Sequence, residues 1–132
     1  MDLKYLYSWL LLAVYYSLSI FNKTDLFRII SAGDMLNHAI FSFEEINEGL
    51  KFLVKNDFLN YRGLNKIKIT RNGNRLLKSS LRESNLPLEQ LQFLSTKIKI
   101  MDVFDARSDD FCNEMIKLSD YNDAVKIYKS KE

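Results

Sequence analysis

One stretch constrains the fold more than any other: YLYSWLLLAVYYSLSIF, from Tyr5 to Phe21, is apolar on nearly every side of a helical wheel. An ordinary surface helix keeps one polar face, so a helix like this one must be covered on several sides. A membrane span is the competing use of such a segment. It falls short of the roughly 20 clean apolar residues that crossing a bilayer requires. Ser8, Ser17 and Ser19 interrupt it, Asp2 and Lys4 both precede it, and no small-x-small cleavage site follows. The expectation is a central helix buried by its own domain and by something further, with no membrane association.

The chain is 132 residues long, enough for one domain with an appended segment and a real core. Its single Cys rules out an internal disulfide, and one His with one Cys makes a zinc site of the usual type untenable. A cytoplasmic location is expected. Four Gly and one Pro leave little room for phosphate-cradling glycine turns.

Three helices are predicted first, over residues 3–20, 24–37 and 42–56. Thr24 offers a cap to the second, and Ser42 with Glu45 three residues on forms a capping box for the third. Phe43, Ile46, Leu50, Leu53 and Val54 make the buried stripe of that third helix. The period then changes to two. In DFLNYRGLNKIKIT, two strand-like runs flank a Gly-Leu-Asn turn, with Ile67 and Ile69 on one face and Lys66 and Lys68 on the other. This hairpin spans 58–70, and Thr70 caps a fourth helix over 71–81. Beyond it, Pro87 suits the first turn of a helix, and Leu91, Leu94, Ile98 and Met101 repeat as an a/d seam of two heptads. Two shorter helical pieces close the chain, capped by Ser108 and Ser119.

The segment KIKITRNGNRLL resembles the junction between wing and helix in MarR- and PadR-type winged-helix regulators. Ile69, Thr70, Gly73, Leu76 and Leu77 match that pattern position by position. GLKFLVKNDFL is similar to their exit from the third helix, with Asn56-Asp57 where a Gly is common. SAGDMLNHAIFSFEEINEGL is similar to stretches of small uncharacterised bacterial winged-helix proteins. The resemblance covers residues 20–80 and implies a mainly α fold with a small β-hairpin, a winged helix-turn-helix over 1–82. Residues 83–132 are a helical extension expected to pack on the first helix or on a dimer partner. The fold alone does not select a function, because winged helices serve DNA binding, RNA binding and protein association.

Charge divides the chain. Residues 62–82 contain Arg62, Lys66, Lys68, Arg71, Arg75, Lys78 and Arg82 and no acid, a net of +7, whereas the flanking segments carry nets of −2 and −3. Arg62, Lys66, Lys68, Arg71 and Arg75 are the candidate nucleic-acid contacts, able to hold phosphates in a salt-sensitive way. A solvated surface that pairs with the acidic C-terminal segment of the same or a neighbouring chain is the reading favoured over phosphate binding, since basic patches have several uses. The third helix points elsewhere: Glu44, Glu45 and Glu48 meet a phosphate field with the wrong sign, and they also suit the positive end of the helix dipole. Phe52 is placed on the same outward face. Together with Leu91, Leu94, Ile98 and Met101, these residues are the candidate protein interface, and a homodimer is expected.

Enzymatic readings fail on chemistry. His38 near Asp34 has no nucleophile or oxyanion donor beside it and is read as a turn-fixing histidine. Cys112 follows Asp109 and Asp110, which disfavour its thiolate. Asp105, Asp109 and Asp110 lack the glycine turn and terminal glutamate of a calcium loop. No enzyme activity, metal or cofactor is expected. The charge of the third helix favours a protein-association or regulatory module with an acidic recognition face; the alternative is a bacterial transcriptional regulator that grips DNA mainly through a basic wing. A version tethered to a membrane by residues 5–21 is a distant third.

Overall fold

The computed structural model describes residues 2–98 and 115–130. In chain order these form α1 (Leu3–Ser17), α2 (Leu26–Asn37), α3 (Phe43–Lys55), β1 (Leu59–Tyr61), β2 (Ile67–Ile69), α4 (Arg71–Glu83), α5 (Pro87–Lys97) and α6 (Leu118–Ser130). The architecture is mainly α, with one antiparallel hairpin in which Leu59 faces Ile69, Asn60 faces Lys68 and Tyr61 faces Ile67.

α1 is the centre. Every residue from Leu6 to Val14 is buried, because α2, α3, α5 and β2 close around it. Its polar groups are satisfied locally or across the core. Ser8 donates to the Lys4 carbonyl at 2.7 Å, and the Trp9 indole N–H donates to the Gly33 carbonyl at 2.9 Å. Trp9 also stacks on Phe41 at 3.8 Å, and a Cβ at Gly33 would lie 2.3 Å from that Phe41 ring. No described helix is long and apolar enough to cross a membrane. α1 ends at Ser17, three residues earlier than its hydropathy suggests, because Leu18 turns extended and a tight turn begins at Ser19.

Local signals explain most boundaries. Ser42 and Glu45 form the reciprocal capping box that starts α3, with bonds of 3.1 and 2.8 Å. Asp25, not Thr24, caps α2, accepting from the Arg28 N–H. Thr24 is instead drawn into the sheet: its N–H donates to Ile67 O at 3.0 Å, and its hydroxyl donates to Ser17 Oγ at 2.7 Å. Asp57 holds a left-handed φ of 63°, the backbone state that makes Gly common at this turn, and its carboxylate accepts from the Asn72 amide at 2.7 Å. Thr70 caps α4 through the Gly73 N–H at 3.0 Å. Gly73 is required there by proximity, since a Cβ would fall 2.2 Å from the Phe58 carbonyl oxygen. His38 ends α2 in the left-handed region, and its N–H donates to Asp34 O at 2.7 Å.

The C-terminal helices join the same core. α5 lies against α1 and α4, burying Leu91 and Leu94, and Gln90 donates to the Ser84 carbonyl while accepting from the Tyr16 hydroxyl. α6 lies along α2, starting one residue before Ser119. The Asn47 carboxamide oxygen accepts from the N–H groups of both Met115 and Ile116, at 2.7 and 3.0 Å, and Tyr121 donates to Phe41 O. Among the described residues no buried side-chain nitrogen or oxygen lacks a hydrogen-bond partner.

Candidate nucleic-acid interface

Strand alternation builds the site. Ile67 and Ile69 turn inward, so Lys66 and Lys68 must point to solvent. Pairing sets Asn60 opposite Lys68, and the Arg62 N–H donates to Lys66 O at 3.1 Å, which brings Arg62 beside Lys66 on the outer face. The bridge between Thr24 and Ile67 adds Lys23 at the edge of this face. Lys23, Asn60, Arg62, Lys66 and Lys68 line a groove of about 420 Å³. No carboxylate lines it, and among the described residues none of its four cations forms an ion pair. Their positive potentials therefore add within a distance comparable to the ~8 Å screening length at physiological salt.

Arg71 and Arg75 lie elsewhere, on α4. With Lys78 and Arg82 they recur at helical spacings of four, three and four, which stacks all four on one exposed face. An adjoining groove of about 600 Å³ has Leu77 and Leu81 in its lining together with Arg71, Asn74, Arg75 and Lys78. The five cations predicted as nucleic-acid contacts thus divide between two surfaces. Lys23 was not among them, because its place depends on a bridge to a residue more than forty positions away. The α4 stripe was legible in the spacing of its cations.

The face of α3 differs from the sequence expectation. Phe52 is not exposed: it is fully buried and stacks on Tyr7, with ring centroids 3.9 Å apart and planes 5° from parallel. A wheel with a single inward stripe fails because α1 is wide and aromatic and takes up a second face of α3. Glu48 accepts from the Tyr7 hydroxyl at 3.0 Å, and Glu45 is engaged in the capping box. Of the three acids Glu44 is exposed, and Glu45 and Glu48 are half-buried. The partly or fully solvent-facing charges of α3 are Glu44, Glu45, Glu48, Lys51 and Lys55, a net of −1. Leu91, Leu94 and Ile98 are likewise buried within the chain and do not form an open seam, since α5 lies against α1 and ends at Lys97. Met101, Ser108, Cys112 and the Asp105/Asp109/Asp110 group lie outside the described residues.

Burial raises the hydroxyl pKa of Tyr5. It does the same for Tyr16, Tyr61 and Tyr121, with smaller upward contributions from Tyr15, from Asp120, and from Glu44 and Glu45 respectively; the bond to Gln90 partly offsets the rise at Tyr16. Among the described residues no group of three or more His, Cys, Asp or Glu side chains is placed to hold a metal ion. The chain matches no protein-family description, no curated protein and no solved structure.

Proposed function

We propose that this chain is a winged helix-turn-helix module, acting as a cytoplasmic regulator, that holds the phosphate backbone of DNA mainly through its basic hairpin. One observation carries the reading: Lys23, Arg62, Lys66 and Lys68 converge on one groove without a carboxylate in its lining. The order of three helices, hairpin and helix suits the fold, and the Thr70–Gly73 junction has the local geometry that its motif requires. The protein-association reading loses ground, because Phe52, Leu91, Leu94 and Ile98 are already covered within the chain. The charges of α3, with a net of −1, offer no net attraction to phosphate, so binding depends weakly on base sequence.

Four neutralised phosphates give a log–log slope of affinity against salt of about −3.6 for duplex DNA. Fluorescence anisotropy with mixed-sequence duplex at several salt concentrations measures it directly. Reversing Lys66→Glu and Lys68→Glu together abolishes binding if the hairpin leads. Absence of binding at low salt, or an unchanged slope in the reversed variant, refutes the proposal.

A further inference from the structure

Beside the basic groove stands a second feature that phosphate binding does not use. Ile20 and Phe21 are 94% and 71% exposed, at the tip of the turn between α1 and α2. Isolated exposed apolar side chains are ordinary on protein surfaces. This pair is adjacent, and its backbone is fixed. The Ser19 N–H donates to Lys23 O at 2.8 Å, the Asn22 N–H to Ser19 O at 3.0 Å, and the Phe21 N–H to Ser19 Oγ at 3.2 Å. Asn22 takes a left-handed φ of 57° to close the turn. The base of the turn is tied to β2, through the Asn22 amide on Ile69 O at 3.4 Å and the Thr24 N–H on Ile67 O at 3.0 Å. Two residues past Phe21, Lys23 enters the lining of the groove. The turn thus presents an apolar tip at a set position beside the cations.

We propose that Ile20 and Phe21 contact the bases of a nucleic acid whose phosphates lie along Lys23, Arg62, Lys66 and Lys68. This rests on the phosphate-binding function proposed above and adds the partner's chemistry: a strand with an accessible base. An apolar wedge entering a continuous duplex must unstack a base step, a cost that falls where a base is already unpaired. An aromatic ring accepts any base on its π-face, so the contact favours unpaired positions without selecting a sequence. A concave groove with cations along its walls suits a linear polyanion. A bilayer is flat and does not follow cations into a groove.

The full chain is titrated by fluorescence anisotropy, at several salt concentrations, against three probes. They are a paired duplex, the same duplex with one unpaired 2-aminopurine, and phosphatidylserine/phosphatidylcholine vesicles. The bulged duplex is bound about tenfold tighter than the paired one, the size of effect one base–aromatic stack supplies, and 2-aminopurine emission changes on binding. The double variant Ile20→Ala/Phe21→Ala removes the preference and the emission change. It keeps the salt slope on paired duplex and, because both side chains are exposed, a wild-type circular dichroism spectrum.

A preference that survives in that variant overturns the proposal. Paired duplex bound with the expected salt slope, but no tighter binding to the bulge, overturns the wedge and leaves phosphate binding standing. Failure to bind either oligonucleotide overturns both. Vesicle binding stronger than bulge binding, and lost in the double variant, assigns the tip to an anionic membrane and overturns the proposal.

Discussion

Replacing Phe52 with Ala tests the packing of the whole N-terminal half. The ring is fully buried, stacked on Tyr7 at 3.9 Å and tilted against Phe58 at 6.5 Å, so its removal opens a cavity between α1, α3 and the start of the hairpin. Phe-to-Ala changes in cores cost about 3–5 kcal/mol, through lost transfer energy and the cavity left behind. Loss of an aromatic pair contributes about 0.5–1.5 kcal/mol of that. Taking about 4 kcal/mol as the total, the variant loses a large part of the roughly 5–15 kcal/mol that stabilises a typical domain. In urea, with a slope near 2 kcal/mol/M, the unfolding midpoint falls by about 2 M. Far-UV circular dichroism at 25 °C, with the slope fitted freely, measures the shift. A double-mutant cycle with Tyr7→Leu and Phe52→Leu then isolates the stacking contribution, expected at about 0.5–1.5 kcal/mol. A midpoint change below about 0.3 M for Phe52→Ala is what a surface substitution produces, and it would refute burial of this face of α3.

Gly73→Ala places a methyl carbon 2.2 Å from the Phe58 carbonyl oxygen, a backbone atom that has no rotamer to escape into. A loss of about 1–3 kcal/mol is expected, read as a lower urea midpoint. At alkaline pH the raised pKa values of Tyr5, Tyr16, Tyr61 and Tyr121 mean that the folded state prefers the neutral phenols. Stability from these groups is fully present below the unfolded value of 10.0 and is lost as pH rises through their folded values. Urea midpoints that hold steady to about pH 9 and fall above pH 10 are expected, with tyrosinate absorbance appearing late.

What the sequence revealed followed from locality. The capping box of α3, the Thr70 cap and the alternation of Ile67 and Ile69 with Lys66 and Lys68 each depend on residues within a few positions of one another. Each is present in the structure. The errors came from non-local contacts. Thr24 has the chemistry of a cap, but hydrogen bonding to Ile67 competes for its backbone, and Asp25 serves as cap instead. Phe52 lies off the strongest apolar stripe of α3 and is buried because Tyr7 meets it from another helix. The coiled-coil spacing of Leu91 and Leu94 is no error of this kind: it leaves α1 and a second chain both open as partners, and α5 lies against α1. For the candidate site, Arg62, Lys66 and Lys68 could be grouped from the hairpin alone, whereas Lys23 required knowledge of which strand its neighbour joins.

The central position of α1 also sets an order of events during synthesis. α1 is made before α5, one of its walls, which begins at Pro87. At ribosomal speeds of about 5–20 residues per second, α1 waits roughly 4–16 s for that cover. Until then an almost wholly apolar helix can bury only part of its surface, against α2, α3 and the hairpin. The nascent chain is therefore most exposed to aggregation and to chaperone capture in this interval. Slower translation between the hairpin and α5 would prolong it, whereas a pause after α5 has emerged would leave α1 protected.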